Sequence, residues 1–158
     1  MIIVKEYYDG ANICCHKMKN NMTYIKMAAQ SMAKNNISKD DILVPAPSHN
    51  GKSTYTLLLA KEIAKLTKAT VWDHLYCIPH EPMYLQKKKK GTGTIKMYSN
   101  ATVPNKQLYF VDNCLASGIT FLEAKKTLGK DLLPLVYAID SSCYHEIPLD
   151  IFEINNIM

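Results

Sequence analysis

The stretch Leu108-Tyr109-Phe110-Val111-Asp112-Asn113-Cys114-Leu115-Ala116-Ser117-Gly118-Ile119-Thr120 constrains this chain more than any other. A short apolar run ends at an acid, a loop of small residues follows, and a helical pattern opens at about Phe121. The pattern predicts a buried strand that carries a carboxylate to its C-terminal end, beside a helix N-terminus whose free N–H groups and dipole suit an anion. A carboxylate suits sugar hydroxyls or a metal, and the cradle beside it suits a phosphate; together they fit a phosphorylated sugar.

The remainder of the chain repeats the strand-then-helix alternation. Ile2 to Val4 is a short apolar strand candidate. Met22 to Lys34 reads as a helix, with Tyr24/Ile25, Ala28/Ala29 and Met32 at helical spacing. Ile42-Leu43-Val44 is a buried strand that stops at Pro45-Ala46-Pro47. The loop Ser48 to Lys52 follows, and then a helix from Ser53, its plausible cap, to about Leu66. Ala69 to Trp72 is a further strand, Pro79 to Lys106 lacks sustained apolar periodicity, and Leu133 to Ile139 is the last clear strand. Strands alternating with helices imply βαβ units and a mostly parallel sheet, with ligands bound beyond the strand C-termini. No internal repeat or linker divides the chain, so residues 1–158 are expected to form one α/β domain.

Composition narrows the function classes. Hydrophobic residues make up 47% and charged residues 21% of the 158, an ordinary globular balance. No apolar run is long enough to span a membrane, and the N-terminus lacks the layout of a signal peptide. The five cysteines form no C-x-x-C pair, which argues against a disulfide framework or a structural zinc site; Cys14-Cys15-His16 reads as incidental. Reduced thiols point to a cytoplasmic protein. The formal charge of +5 is partly gathered in Lys87 to Lys90 and suits a polyanionic small molecule as well as nucleic acid. No zinc finger, RNP motif or recognition-helix pattern favours nucleic acid.

Two loops carry the chemistry. In Ala116-Ser117-Gly118-Ile119-Thr120, small residues let backbone N–H groups approach an anion, Ser117 and Thr120 add hydroxyl donors, and Gly118 permits unusual φ. In Ser48-His49-Asn50-Gly51-Lys52, a lysine follows a strand in a turn. Gly51-Lys52-Ser53 supplies the second half of a nucleotide P-loop, and Leu108 to Asp112 could serve as its Walker B strand. Against this, the first glycine of a P-loop is replaced by Ala46, and the adjacent Pro47 has no N–H to give a phosphate. The small-residue loop after Asp112 would also go unexplained.

Val111 to Thr120 resembles the phosphoribosyl-diphosphate (PRPP) signature of type I phosphoribosyltransferases. That signature is an apolar strand ending in two acids, then two apolar residues, a small residue, Thr or Ser, Gly, any residue and Thr. The match departs at the second acid, where Asn113 stands. Ile42 to Leu66 resembles the family's pyrophosphate loop with its following helix, Lys52 being the basic residue. The basic segment between the two loops is placed like the family's mobile catalytic loop. The likeness spans roughly residues 42 to 140.

The resemblance implies a Rossmann-like parallel-sheet phosphoribosyltransferase fold with a small hood and a mobile loop. It implies transfer of the 5-phosphoribosyl group from PRPP to a nitrogenous base, or the reverse, with pyrophosphate released. Asp112 would hold the ribose 2- and 3-hydroxyls, and Ala116, Ser117, Gly118, Ile119 and Thr120 the 5-phosphate. Ser48, His49, Asn50, Gly51 and Lys52 would meet the pyrophosphate, with Lys52 stabilising it as it leaves. Mg²⁺ would bridge substrate oxygens and water, reaching Asp112 only through ribose or water. Asn113 can hydrogen-bond ribose but brings no negative charge to an oxocarbenium-like transition state. The base would sit under a hood built from the segment before about Asp40 and the tail after Asp140. A homodimer is the family's common state.

A second function class stays open: a PRPP- or nucleotide-binding regulatory module without turnover, motivated by Asn113. Lys87 to Lys90, followed by Gly91-Thr92-Gly93-Thr94, fits either a lid over pyrophosphate or a solvated basic loop. His49, His80 and His145 are isolated in sequence. His49 falls in the candidate pyrophosphate loop.

Overall fold

The computed structural model describes residues 2–129 and 131–140. Along the chain, β1 (Ile2–Glu6) leads through a π-helical turn (Tyr7–Ala11) into α1 (Asn12–Lys17) and α2 (Met22–Met32). Then come β2 (Ile42–Pro45), α3 (Tyr55–Thr67), β3 (Thr70–Val71), β4 (Leu75–Cys77), α4 (Met83–Lys90) and β5 (Met97–Ser99). The series ends with β6 (Leu108–Leu115), α5 (Ile119–Leu128) and β7 (Leu133–Ile139).

Five strands form a parallel sheet in the order β1-β7-β6-β2-β3. From β2 the chain steps outward to β3, then returns to the other side of β2 for β6 and β7. The strand order therefore reverses between β2 and β6, and the connections diverge there to leave a crevice beyond their C-terminal ends. Pro45 lies beside Val111 in this pair, and the Ala46 N–H donates to the Val111 carbonyl at 3.0 Å. The chain leaving β2 is thus tied alongside Asp112.

Alternation along the strands feeds two apolar layers. Leu43, Tyr109, Val111 and Leu135 face α2 and α3, where Ile25, Ala28, Met32, Leu59, Ala60 and Ile63 are buried at helical spacing. Ile42, Val44, Phe110 and Val136 face α5 through Phe121, Ala124 and Leu128. Helices on both faces leave the strands dry on either side, so β2 is buried throughout and reads as a continuous apolar run.

The α/β class and parallel sheet expected from the alternation are present, and β7 and the start of β2 fall where the sequence places them. Three local features differ. β6 does not stop at Val111 but runs through Leu115, because β7 is long enough to pair with Asp112, Cys114 and Leu115. Ser53 does not cap α3: its hydroxyl donates to Asp73 Oδ1 at 2.5 Å, and Thr54 precedes the helix without a side-chain cap bond. The segment Pro79 to Lys106 is not featureless, since β4 and β5 pair antiparallel and α4 lies in their connection.

No described helix is long and apolar enough to cross a membrane. The tail after Asp140, named above as part of a hood, and His145 lie outside the described residues.

Candidate functional site

A cavity of about 550 Å³ occupies the crevice beyond β2 and β6. Its wall takes Ala46, Pro47, Ser48, His49 and Asn50 from the chain leaving β2, and Asp112, Asn113 and Thr120 from the region of β6 and α5. Thr54, then Tyr55 and Thr56 of α3, His80, Pro82, Met83 and Tyr84, Ile95 and Lys19 complete it. A smaller pocket of about 120 Å³ adjoins it, lined by Ala116, Ser117, Gly118 and Thr120 together with Asp112, Cys114 and Phe121. Met83, Asp112 and Thr120 line both.

The turn after β2 is closed by its own backbone. Ser48 N–H donates to the Lys52 carbonyl and Gly51 N–H to the Ser48 carbonyl, each at 2.9 Å. Gly51 has φ +113° and passes so near β4 that a Cβ there would lie 3.1 Å from the Cys77 carbonyl oxygen. Its own carbonyl accepts the Cys77 N–H at 2.9 Å. Gly51 therefore holds the turn against β4 while Ser48, His49 and Asn50 face the cavity. Thr56 fixes the approach by donating its hydroxyl to the Ala46 carbonyl at 2.5 Å. Lys52 is exposed and lies on neither wall.

Among the described residues, Asp112 is the one carboxylate on either wall. Burial pushes its acid up to about 7, against the opposing pull of the Asn113 N–H and the Lys19 ammonium. The Asn113 N–H reaches Asp112 Oδ1 at 2.7 Å. Asn113 itself is buried, and its side-chain amide donates to the Cys15 carbonyl at 3.0 Å. The Asn113 side-chain nitrogen is thereby bonded to α1.

The small pocket owes its shape to Gly118, whose φ of +81° turns the chain sharply into α5. Ala116, Ser117, Gly118 and Thr120 converge there. Ile119 is on neither wall, and its N–H points to Ser117 Oγ at 3.4 Å.

His80 adds a polar feature that its isolated place in sequence concealed. Its Nδ1 lies 2.7 Å from the Glu81 carbonyl and 3.2 Å from Gln86 Nε2. Its Nε2 is buried without a hydrogen-bond partner. The residues that pattern reasoning left out (Lys19, Tyr55, Thr56, Met83, Tyr84 and Ile95) come from the N-terminal turn, α3 and the β4–β5 connection. Only the helical spacing of α3 hinted at any of them.

No three His, Cys, Asp or Glu side chains among the described residues are grouped to hold a metal ion.

Fold and cleft together define an α/β protein with a parallel sheet and a ligand-sized crevice at its topological switch point. No family model matches the chain, and no curated protein matches it. Among solved structures it is similar to the crystal structure of a hypothetical protein from Neisseria gonorrhoeae with bound ppGpp. Identity is 13% over 98% of this chain and 94% of that one, and the TM-score is 0.39.

Proposed function

We propose that this chain is a Mg²⁺-dependent phosphoribosyltransferase of the type I fold, acting in the cytoplasm on PRPP and a nitrogenous base. The observation that carries this assignment is the position of Asp112 and Thr120, which line both the large cavity and the small pocket. A ribose 5-phosphate needs that arrangement, with phosphate in a small-residue cradle and sugar hydroxyls on an adjoining carboxylate.

The 5-phosphate sits among Ala116, Ser117, Gly118 and Thr120, where the start of α5 favours negative charge. Asp112 accepts from the ribose 2- and 3-hydroxyls. Ser48, His49 and Asn50 face the diphosphate from the turn after β2. The C1–N bond to the acceptor forms as the C1–O bond to pyrophosphate breaks, and the acceptor's N–H proton is released. Bound Mg²⁺ would supply neutralisation of the leaving pyrophosphate, and Asp112 is the residue that would hold it, through ribose or water. Lys52, off the wall, and Asn113, whose nitrogen is committed to Cys15, have no direct part.

Incubation with Mg²⁺, PRPP and a panel of bases should release pyrophosphate. No release with any base, together with no PRPP binding by calorimetry, would end this assignment. The Asn113–Cys15 bond favours one other function, a PRPP- or nucleotide-binding module without turnover, because the site then holds a single acid. PRPP binding without pyrophosphate release from any base would establish it.

A further inference from the structure

The cavity wall holds two charged side chains among the described residues, Asp112 and Lys19. Lys19 comes from the turn between α1 and α2, a region with no sequence signal for ligand binding. It is nonetheless held in place. Cys15 of α1 receives the Asn113 amide on its carbonyl at 3.0 Å and sends its thiol to the Asn113 carbonyl at 3.5 Å. Met18, next to Lys19, is fully buried. The neighbouring cation Lys17 is turned instead toward the Tyr24 ring, 6.0 Å from its centroid. Asn113, through Cys15, and buried Met18 thus fix the end of α1 just before Lys19, which lines the cavity wall.

We propose that Lys19 is the anion-binding cation of this cavity, the role that the strand-turn-lysine pattern assigns to Lys52. The inference rests on the proposed phosphoribosyl chemistry only for the identity of the anion. Two sources share the chemistry: the diphosphate of PRPP, or a carboxylate on the nitrogen acceptor. In either case the lysine offers N–H donors and positive charge to a group held beside Asp112, where neither His49 nor His80 carries a permanent charge. Asn113 is then a positioning residue. An amide at the second-acid position spares the cleft an anion and fixes the helix that brings the cation.

The test is calorimetry on the full chain, comparing wild type with Lys19→Met, Lys19→Arg and Lys52→Met. The probes are PRPP with Mg²⁺, inorganic pyrophosphate, and the pair nicotinate and nicotinamide, which differ by one carboxylate charge. Lys19 is exposed, so these variants should fold; thermal melting checks it. Lys19→Met should weaken at least one anionic probe by about tenfold or more, the loss of one charge-assisted hydrogen bond. Nicotinamide should be unaffected, Lys19→Arg should restore most of the loss, and Lys52→Met should change little. Loss with PRPP and pyrophosphate identifies the diphosphate as the anion; loss confined to nicotinate identifies the acceptor. If Lys19→Met binds every anionic probe as tightly as wild type, the inference fails while PRPP binding by both leaves the proposed function intact. If wild type ignores PRPP but binds another anion through Lys19, the function fails and the inference stands. If wild type binds none of the anions, both fall.

Discussion

Asn113 and Cys15, far apart in sequence, are joined by two hydrogen bonds of opposite sense: side-chain amide to carbonyl at 3.0 Å, and thiol to carbonyl at 3.5 Å. Only a donor at residue 113 can make the first. Asn113→Asp places a carboxylate oxygen against a carbonyl oxygen in a buried position. The substitution should cost about 1–3 kcal/mol of stability, more if the acid stays ionised, and it should lower activity. Urea denaturation of the two proteins measures it. A variant as stable as wild type and faster at pyrophosphate release would mean that the amide is not structural.

Asp112 makes stability depend on pH. Its folded-state acid titrates near 7, above its unfolded value of 3.8. Between those values the native state holds more protons than the unfolded state, so this group lowers stability as pH rises from about 4 to about 7, and its effect is then constant. Asp112→Asn should remove that slope, making the variant relatively more stable than wild type at pH 8 than at pH 4. It should also bind PRPP less tightly, since an amide is a poorer acceptor for ribose hydroxyls. Denaturation curves at pH 4, 6 and 8 give the slope, which should differ between the two proteins chiefly below pH 7.

The helix in the basic segment depends on one buried glutamine. Gln86 Nε2 donates to the Glu81 carbonyl at 2.7 Å and to the Thr94 carbonyl at 3.2 Å, while Oε1 accepts the Thr94 N–H at 3.0 Å. These bonds tie the start of α4 to the chain after it, with Lys88, Lys89 and Lys90 left exposed. Gln86→Ala would leave the Thr94 amide without its side-chain acceptor, at a cost of about 1–3 kcal/mol. Amide exchange should quicken from Glu81 to Thr94 and stay unchanged in β6 and β7. Uniform exchange across the chain in both proteins would show that Gln86 does not organise this segment.

What was legible in the sequence followed from local periodicity. β2, β7 and α2 stand out because both faces of the sheet are covered, so their apolar runs are uninterrupted or helically spaced. The small-residue loop was legible because Gly118 and its neighbours have the composition a tight strand-to-helix turn requires. α4 was not, because its stabiliser is a single polar residue bonded across a loop rather than an apolar stripe. Lys19 was not, because its place depends on a bond between residues 98 positions apart. Lys52 is exposed and lies on neither cavity wall. Its neighbours fit a phosphate turn, but Gly51 is consumed by packing against Cys77, and the lysine is left outside.

Thr120 separates the phosphoribosyl function from a P-loop phosphotransferase. Its side chain belongs to the first turn of α5 and lines both the small pocket and the main cavity. A phosphate seated in the Gly118 turn would take a hydrogen bond from its hydroxyl. Thr120→Val preserves shape and removes only that donor. PRPP binding should weaken by about 1–3 kcal/mol, roughly five- to more than a hundredfold in dissociation constant, with little change in melting temperature. A P-loop centred on Lys52 predicts the reverse: ATP binding lost on Lys52→Met and indifferent to Thr120. Calorimetry with PRPP and with ATP on both variants decides between them. The decision is direct because Lys52 is off both cavity walls while Thr120 lies on both.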